Sequence, residues 1–203
     1  MIISAARILE LNDEHNLLEN LSRGQLENPE GTGIDLRVGK VNRLRGGSFL
    51  GADIETEEKI QKGKRHSPET YLIGNVKMPG KDSIVISPGE YLLVTTMEIV
   101  HSPKHKIKYD KDFPEGYLIP KIYPRSSLQR GGVVLHATNT SPGYKGELTF
   151  GLSNLGGENF TFELGARMFN VEYEAVIGDL KRPYEGQHQG GRITSGGKTE
   201  EQT

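Results

Sequence analysis

The sequence predicts an all-β fold, a sandwich or jelly roll, on three observations. From Ser83 onward, short runs of β-branched and aromatic residues recur with Pro, Gly, Asn or Ser between them, the spacing of strands joined by turns. Glycine supplies 26 of the 203 residues, which favours many turns over long helices. Helical periodicity is confined to the stretch before Asn28, and the chain shows no internal repeat.

Each element follows in order. Residues 3–11 form a short helix with Ser4 as N-cap and Ile8, Leu9 and Leu11 as its apolar positions. Asp13 is a candidate cap for a further helical turn carrying Leu17, Leu18 and Leu21. Asn28-Pro29-Glu30-Gly31-Thr32-Gly33 is a turn that opens into residues 34–41, which alternate apolar and polar as a half-buried strand does. Residues 45–82 are polar, Gly-rich and charged, with a basic cluster at 62–66. They are expected to form an insertion or hairpin excursion, weakly packed, with the cluster on a solvated face. Strands then fall at 84–86, 90–100, 117–123, 133–137, 147–153, 160–164 and 168–173. Ser87-Pro88-Gly89, His101-Ser102-Pro103, the charged loop 104–116, Ser141-Pro142-Gly143 and Leu155-Gly156-Gly157-Glu158 separate them. Residues 1–180 therefore form one domain, and residues 181–203, almost without apolar side chains, form a tail expected to be mobile in isolation.

Composition removes several function classes. Net charge is −2, so no global field draws the chain to nucleic acid. With no cysteine there is no disulfide, thiolate metal site or Cys nucleophile. The start lacks a basic region followed by an apolar run, and no apolar stretch is long enough to span a membrane. A reducing cytoplasm is the expected setting.

The segment Pro124-Arg125-Ser126-Ser127-Leu128-Gln129-Arg130-Gly131-Gly132 carries most of the functional information. Two adjacent hydroxyls lie between two guanidiniums and run into a glycine pair. Hydroxyls and backbone N–H groups donate to phosphate oxygens, and Arg grips them in a fork. Taken alone, the segment is either a polar turn after a strand or an anion site, with a triphosphate as the natural ligand.

Its neighbours narrow the choice. Gly33-Ile34-Asp35-Leu36-Arg37 lies upstream. Pro142-Gly143-Tyr144-Lys145-Gly146-Glu147, Leu164-Gly165-Ala166-Arg167-Met168 and Tyr184-Glu185-Gly186-Gln187-His188-Gln189-Gly190 follow. In this order the set resembles the superfamily of dCTP deaminases and dUTP diphosphatases, from the N-terminal helix to about residue 192. The helical start, the D-L-R-V-G strand and the Gln-rich tail are similar to the dCTP-deaminase branch, which includes archaeal-type dUTP diphosphatases and enzymes catalysing both reactions. The resemblance implies a distorted β jelly roll that assembles as a homotrimer with active sites between subunits. It implies that Arg125, Ser126, Ser127, Arg130 and Gln189 hold the triphosphate, with Mg2+ carried on the phosphates and no metal bound directly by protein. His136, Ala137, Thr138, Asn139, Thr140 and Tyr144 would surround the base and sugar, with Tyr144 excluding a 2′-hydroxyl. Tyr184, Gly186, Gln187, Gln189 and Gly190 would close over the nucleotide as a lid. Each role has a plainer counterpart: Asp35 as a structural strand-edge carboxylate, His136 as a satisfied core or interface histidine, Tyr144 as turn packing, Gln187 and Gln189 as tail composition.

Two departures decide the reaction. The family's deaminases use a glutamate on the strand after P-G-x-x-G, and an ungapped alignment puts Gly151 at that place. Glycine moves no proton. Glu147 is four residues earlier, roughly 13 Å away at about 3.3 Å per residue. A zinc route lacks its Pro-Cys-x-x-Cys signature. The diphosphatases use an aspartate just before the hairpin's small-residue pair, where this chain has Ser141. Ser126, Arg130, Ser141, Glu147 and Asp35 remain as catalytic candidates. Attack at phosphorus needs mostly alignment and charge neutralisation, so it survives the loss of one base better than deamination does. The first expectation is therefore a dUTP diphosphatase, converting dUTP to dUMP and pyrophosphate. The alternatives are a dCTP deaminase and a catalytically silent homologue that binds dUTP, dCTP or dTTP.

Overall fold

The computed structural model describes residues 1–78, 80 and 83–202. Strand β1 (Ile2–Ile3) leads into helix α1 (Ala5–His15). Ser4 caps α1, its hydroxyl accepting from Arg7 N at 3.3 Å, and Asn16 ends it in the left-handed region at φ 51°. Beyond Asn16 the chain extends as β2 (Leu18–Glu19), followed by α2 (Arg23–Glu27). The further helical turn expected at Leu17, Leu18 and Leu21 does not form. The left-handed Asn16 reverses the chain, and Leu18 N donates to Asn12 Oδ1 at 2.6 Å, so Leu17 and Leu18 reach the core from an extended backbone. Helix α2 has no counterpart among the sequence expectations.

Strand β3 (Ile34–Arg45) comes next. Residues 46–82 include β4 (Phe49–Leu50), β5 (Ile54–Glu55), β6 (Ile60–Gln61), β7 (Lys64–His66) and β8 (Glu69–Asn75). Then follow β9 (Ser83–Ile86), β10 (Tyr91–His101), β11 (Tyr117–Pro124), helix α3 (Ser126–Arg130), β12 (Val133–His136), β13 (Lys145–Asn154), β14 (Phe160–Glu163) and β15 (Arg167–Val176). A short β16 (Glu200–Glu201) lies in the tail. The expected strands are present within a few residues of their ends, and the fold is all-β with dominant antiparallel pairing.

The main sheet runs β1-β15-β3-β10-β13-β12, with β11 beside β15, β2 beside β10 and β8 beside β3. Strand β3 joins its two halves. Ile34 to Arg37 pair with β15, whereas Val38 to Asn42 pair with β10. Strand β13 is the other central element. Its even positions Leu148, Phe150 and Leu152 are buried, as period-two alternation requires, and Phe150 meets Phe169 of β15 with ring centroids 4.6 Å apart. The buried Tyr173 hydroxyl stands 2.8 Å from Leu17 O and 2.9 Å from His101 O, tying β15 to the segments flanking β2. Of residues 45–82, β8 is integrated into the main sheet, while Phe49, Leu50, Ile54 and Ile60 are exposed.

Strand β10 carries a bulge between Thr95 and Ile99 that turns Glu98 inward. The carboxylate is fully buried and meets Arg37 Nε at 2.7 Å and Arg37 N at 2.8 Å. Burial pushes its pKa up and Arg37 opposes the rise. A carboxyl raised in the folded state favours folding below its unfolded pKa, and that contribution fades as pH rises through the folded value. Replacing Arg37 with Ala leaves Glu98 unpaired and should cost about 3–5 kcal/mol in urea unfolding. The deficit relative to wild type should be larger at pH 8 than at pH 5, where protonation relieves the stranded charge.

Candidate functional site

Two clefts that share no lining residue hold part of the sequence-selected set: Thr138 to Ser141, Tyr144 and Tyr184 line the first, Asp35 and Arg125 the second. The first encloses about 330 Å³ and lies between the hairpin at residues 138–141, strand β13 and the tail. Its floor is Tyr144, only 8% exposed, whose hydroxyl donates to Glu147 O at 2.6 Å. Burial, with Tyr184 and Glu147 adding to it, pushes this phenol up to about 12, so it stays neutral and acts only through its ring and its hydrogen bond. Buried Thr149 Oγ1 lines the same cavity without a hydrogen-bond partner. An unmatched polar atom of this kind suits a ligand that supplies the missing bond.

The tail folds over this cavity. Tyr184 N donates to Pro142 O at 2.7 Å, Gln189 Nε2 to Gly143 O at 2.8 Å and Gly190 N to Lys145 O at 3.0 Å. Tyr184 meets Tyr144 with ring centroids 5.9 Å apart. The close passage accounts for the two glycines of the P-G-Y-x-G element. A Cβ on Gly143 would lie 2.8 Å from Tyr184 N, and one on Gly146 would lie 2.5 Å from Gly191 N. The end of the tail is latched to the 46–82 region. Strand β16 pairs with β7, Glu200 bridges Arg65 at 3.1 Å and Arg192 at 2.8 Å, and Ser195 bonds Ser67.

The second cleft, about 950 Å³, lies between α2, the turn at 28–33, β3 and β15. Asp35 organises it. Its carboxylate accepts from Arg125, from Arg167 at 3.3 Å and from Asn170 at 3.1 Å. Arg125 is thus held at the entrance to α3, where Ser126, Ser127 and Arg130 are exposed. No side-chain hydrogen bond engages these three among the described residues. The expected turn after β11 is this short helix, closed by Gly131, at which any Cβ would meet Phe160 at 2.6 Å.

The remaining candidates have definite places. Glu147 is clamped by Lys40 at 2.6 and 2.9 Å and approached by Thr95 Oγ1 at 3.2 Å. Asn139 accepts from Lys121 at 2.8 Å, Gln187 donates to Glu201 O at 2.5 Å, and Thr138, Thr140 and Ser141 line the first cavity. Ala137 and Gly186 contribute no polar side chain. His136 pairs across the sheet with Gly151, and its Nε2 is 2.9 Å from Ser153 Oγ. The space over Gly151 is filled by Tyr91: a Cβ there would be 2.2 Å from the Tyr91 hydroxyl oxygen. The Tyr91 ring leans on His136 at 5.8 Å, and burial raises its pKa. Sequence reasoning missed Tyr91, Thr149, His188 and Arg192. The last two sit in a polar tail whose composition gives no sign of which side chains turn inward.

A family model described as dCTP deaminase-like matches residues 2–176. The chain belongs to that family. A dCTP deaminase from Natronomonas pharaonis is 30% identical over 187 residues, 91% of this chain and 85% of that protein. One from Halorubrum lacusprofundi is 32% identical, over 59% of this chain and 56% of its own length. A protein from Methanosphaera stadtmanae named "dCTP deaminase, dUMP-forming" is 26% identical over 74% of this chain and 68% of its own. Among solved structures, the 2′-deoxycytidine 5′-triphosphate deaminase from Agrobacterium tumefaciens superposes with a TM-score of 0.56 at 17% identity, covering 86% of this chain and 48% of that one. The fold class is therefore that of the dCTP deaminases.

Two outcomes follow from the packing. Gly151→Ala should destabilise the chain by about 1–2 kcal/mol by displacing Tyr91, and the same change in a Tyr91→Ala background should cost less than about 0.5 kcal/mol; thermal unfolding of the four proteins measures both. Glu200→Arg should speed proteolytic cleavage of the tail about fivefold by breaking this partly exposed pair, and Arg65→Glu in the same chain should restore protection.

Proposed function

We propose that the protein is a dUTP diphosphatase that hydrolyses dUTP to dUMP and pyrophosphate. The observation that carries this reading is the pair Gly151 and Tyr91. The place of the deaminase glutamate has no carboxylate, and the space above it is taken by the Tyr91 phenol, which is neutral near pH 7. Addition of water at carbon 4 and protonation of the leaving amine require a group that shuttles protons, and neither residue can. Attack at phosphorus requires alignment and charge neutralisation, which hydroxyls and guanidiniums supply.

The names of several relatives support chemistry at the phosphates as well as at the base, since a dUMP-forming enzyme must cleave the triphosphate. They also favour dCTP deamination as the second reading. The missing acids favour a silent nucleotide-binding homologue as a third.

In this reading the two clefts are halves of one site. Ser126, Ser127 and Arg130 project free of side-chain partners, whereas the hairpin cavity is closed by the tail of the same chain. In this reading a second copy, as in a homotrimer, supplies the half that each chain's cavity lacks. Tyr144 lies under the sugar, Thr138 to Thr140 face the base, and Gln189 holds the lid against Gly143. A magnesium ion in this reading is carried on the triphosphate, with phosphate oxygens and water as its ligands. Such an ion offsets phosphate charge; orientation and exclusion of water fall to Arg125, Ser126, Arg130 and the lid. A cytoplasmic location fits a soluble nucleotide substrate.

The test is pyrophosphate release from dUTP with magnesium, beside loss of cytosine absorbance from dCTP. Release from dUTP alone is expected, and ammonia formation from dCTP would replace this reading with the second. Arg130→Ala should lower kcat/KM for dUTP by about 10²–10³-fold, the scale of losing one preorganised donor.

A further inference from the structure

Strand β12 pairs with β13 from Val133–Asn154 to His136–Gly151, and there the ladder stops. Continued by two residues, it would set Thr138 beside Thr149. Instead the chain leaves the sheet as the hairpin at residues 138–141, and the hairpin cavity opens in the gap. Leu148, Thr149 and Phe150 are consecutive, and all three line it, so β13 presents its edge to the cavity. Of the three, only Thr149 carries a polar side chain.

The Thr149 hydroxyl is buried and has no hydrogen-bond partner among the described residues. Its cross-strand neighbour on β10 is Thr95, but Thr95 Oγ1 donates to Glu147 Oε2 at 3.2 Å. Glu147 in turn is held by Lys40 at 2.6 and 2.9 Å. On the other side the β12 ladder has ended. Thr149 therefore keeps a hydrogen to donate and lone pairs to fill. Leaving a buried hydroxyl unmatched disfavours the fold, and a ligand that supplies the bond removes that penalty on binding. The rest of the lining says which part of a ligand belongs here. It contains no carboxylate, and Arg192, the one lining residue charged at any working pH, is already paired with Glu200 at 2.8 Å. The Tyr144 ring forms the floor. A flat, uncharged ring with carbonyl oxygens suits such a wall better than a phosphate does.

The geometry points to Thr149 as the side chain that binds the pyrimidine ring in this cavity, its hydroxyl donating to a ring carbonyl oxygen. This rests on the reading of the hairpin cavity as the nucleoside half of the site, and not on which reaction follows. A carbonyl at carbon 2 is common to uracil and cytosine, whereas one at carbon 4 belongs to uracil alone. Donation to the second favours dUTP over dCTP, because cytosine offers an amino group there. The same hydroxyl thus weakens the free protein slightly and strengthens the complex, a pattern that separates a ligand-binding group from one that holds the fold together.

The test replaces Thr149 with Val, which keeps the shape and deletes the hydroxyl, and with Ser, which keeps the hydroxyl. Thermal unfolding of the free proteins is one readout. Calorimetric binding of the non-hydrolysable α,β-imido-dUTP and α,β-imido-dCTP with magnesium is the other. Thr149→Val should melt at or above the wild-type temperature and bind the dUTP analogue about five- to tenfold more weakly, the scale of one hydrogen bond. Thr149→Ser should bind it within about threefold of wild type. An equal loss on the dCTP analogue supports a bond at carbon 2, and a loss confined to the dUTP analogue supports one at carbon 4. Unchanged affinity in Thr149→Val would overturn the assignment and leave the reading of the cavity standing. A Thr149→Val protein that melts lower and binds more weakly would make the residue a packing element and also overturn it. A wild-type protein that binds neither analogue would overturn the cavity reading and the assignment together.

Discussion

The antiparallel register of β13 against β10 and β12 is the constraint on which the site depends. One strand carries the core on its even residues Leu148, Phe150 and Leu152 and turns its odd ones to the opposite face. Leu148, Phe150 and Leu152 anchor it to the interior, so Thr149, Gly151 and Ser153 face the other way at fixed positions. A one-residue slip would exchange the two sets, and the packing of Phe150 on Phe169 forbids it. The β10 bulge that buries Glu98 against Arg37 is placed on the same ladder, between the pairs Thr95–Thr149 and Ile99–Glu147. The end of β13 that enters the site is thus held by an ion pair on one side and by Lys40 with Glu147 on the other.

That rigidity gives the substitution at position 151 its meaning. Gly151 is not a gap. Tyr91, two residues before Leu93, which pairs with Gly151, places its hydroxyl where a side chain would emerge, and His136 supports the ring from β12. Restoring an acid here would demand a rearrangement on β10 as well as a single replacement. The chain is thus kin to proteins named dCTP deaminase, yet position 151 carries no side chain that could move a proton. A fold hosts many activities, and the residues at the site decide among them.

Much of the architecture was legible in the sequence because β-branched runs punctuated by Pro and Gly are local signals. Residues 84–86, 117–123 and 133–137 reappear as strands on that basis. Leu17 and Leu18 misled because a leucine cluster has the same composition in a helix and in an extended segment; the left-handed Asn16 decided it. Helix α2 is short and carries a glycine, so it leaves almost no periodicity to find. At the candidate site, the segment from Arg125 to Arg130 and Tyr144 were visible as contiguous motifs. Asp35 was visible but its engagement with Arg125 was not, since the partners are 90 residues apart. Tyr91, Thr149, His188 and Arg192 were invisible for the same reason: their roles arise from long-range pairing and from where the tail comes to rest.

The central claim is that water attacks phosphorus and leaves the base untouched. The direct measurement is turnover of dUTP and dCTP in 18O-labelled water, with products resolved by mass spectrometry. One 18O in the phosphate of dUMP, with none in pyrophosphate or in the uracil ring, is the expected result. An 18O at carbon 4 of a uracil formed from dCTP would contradict it.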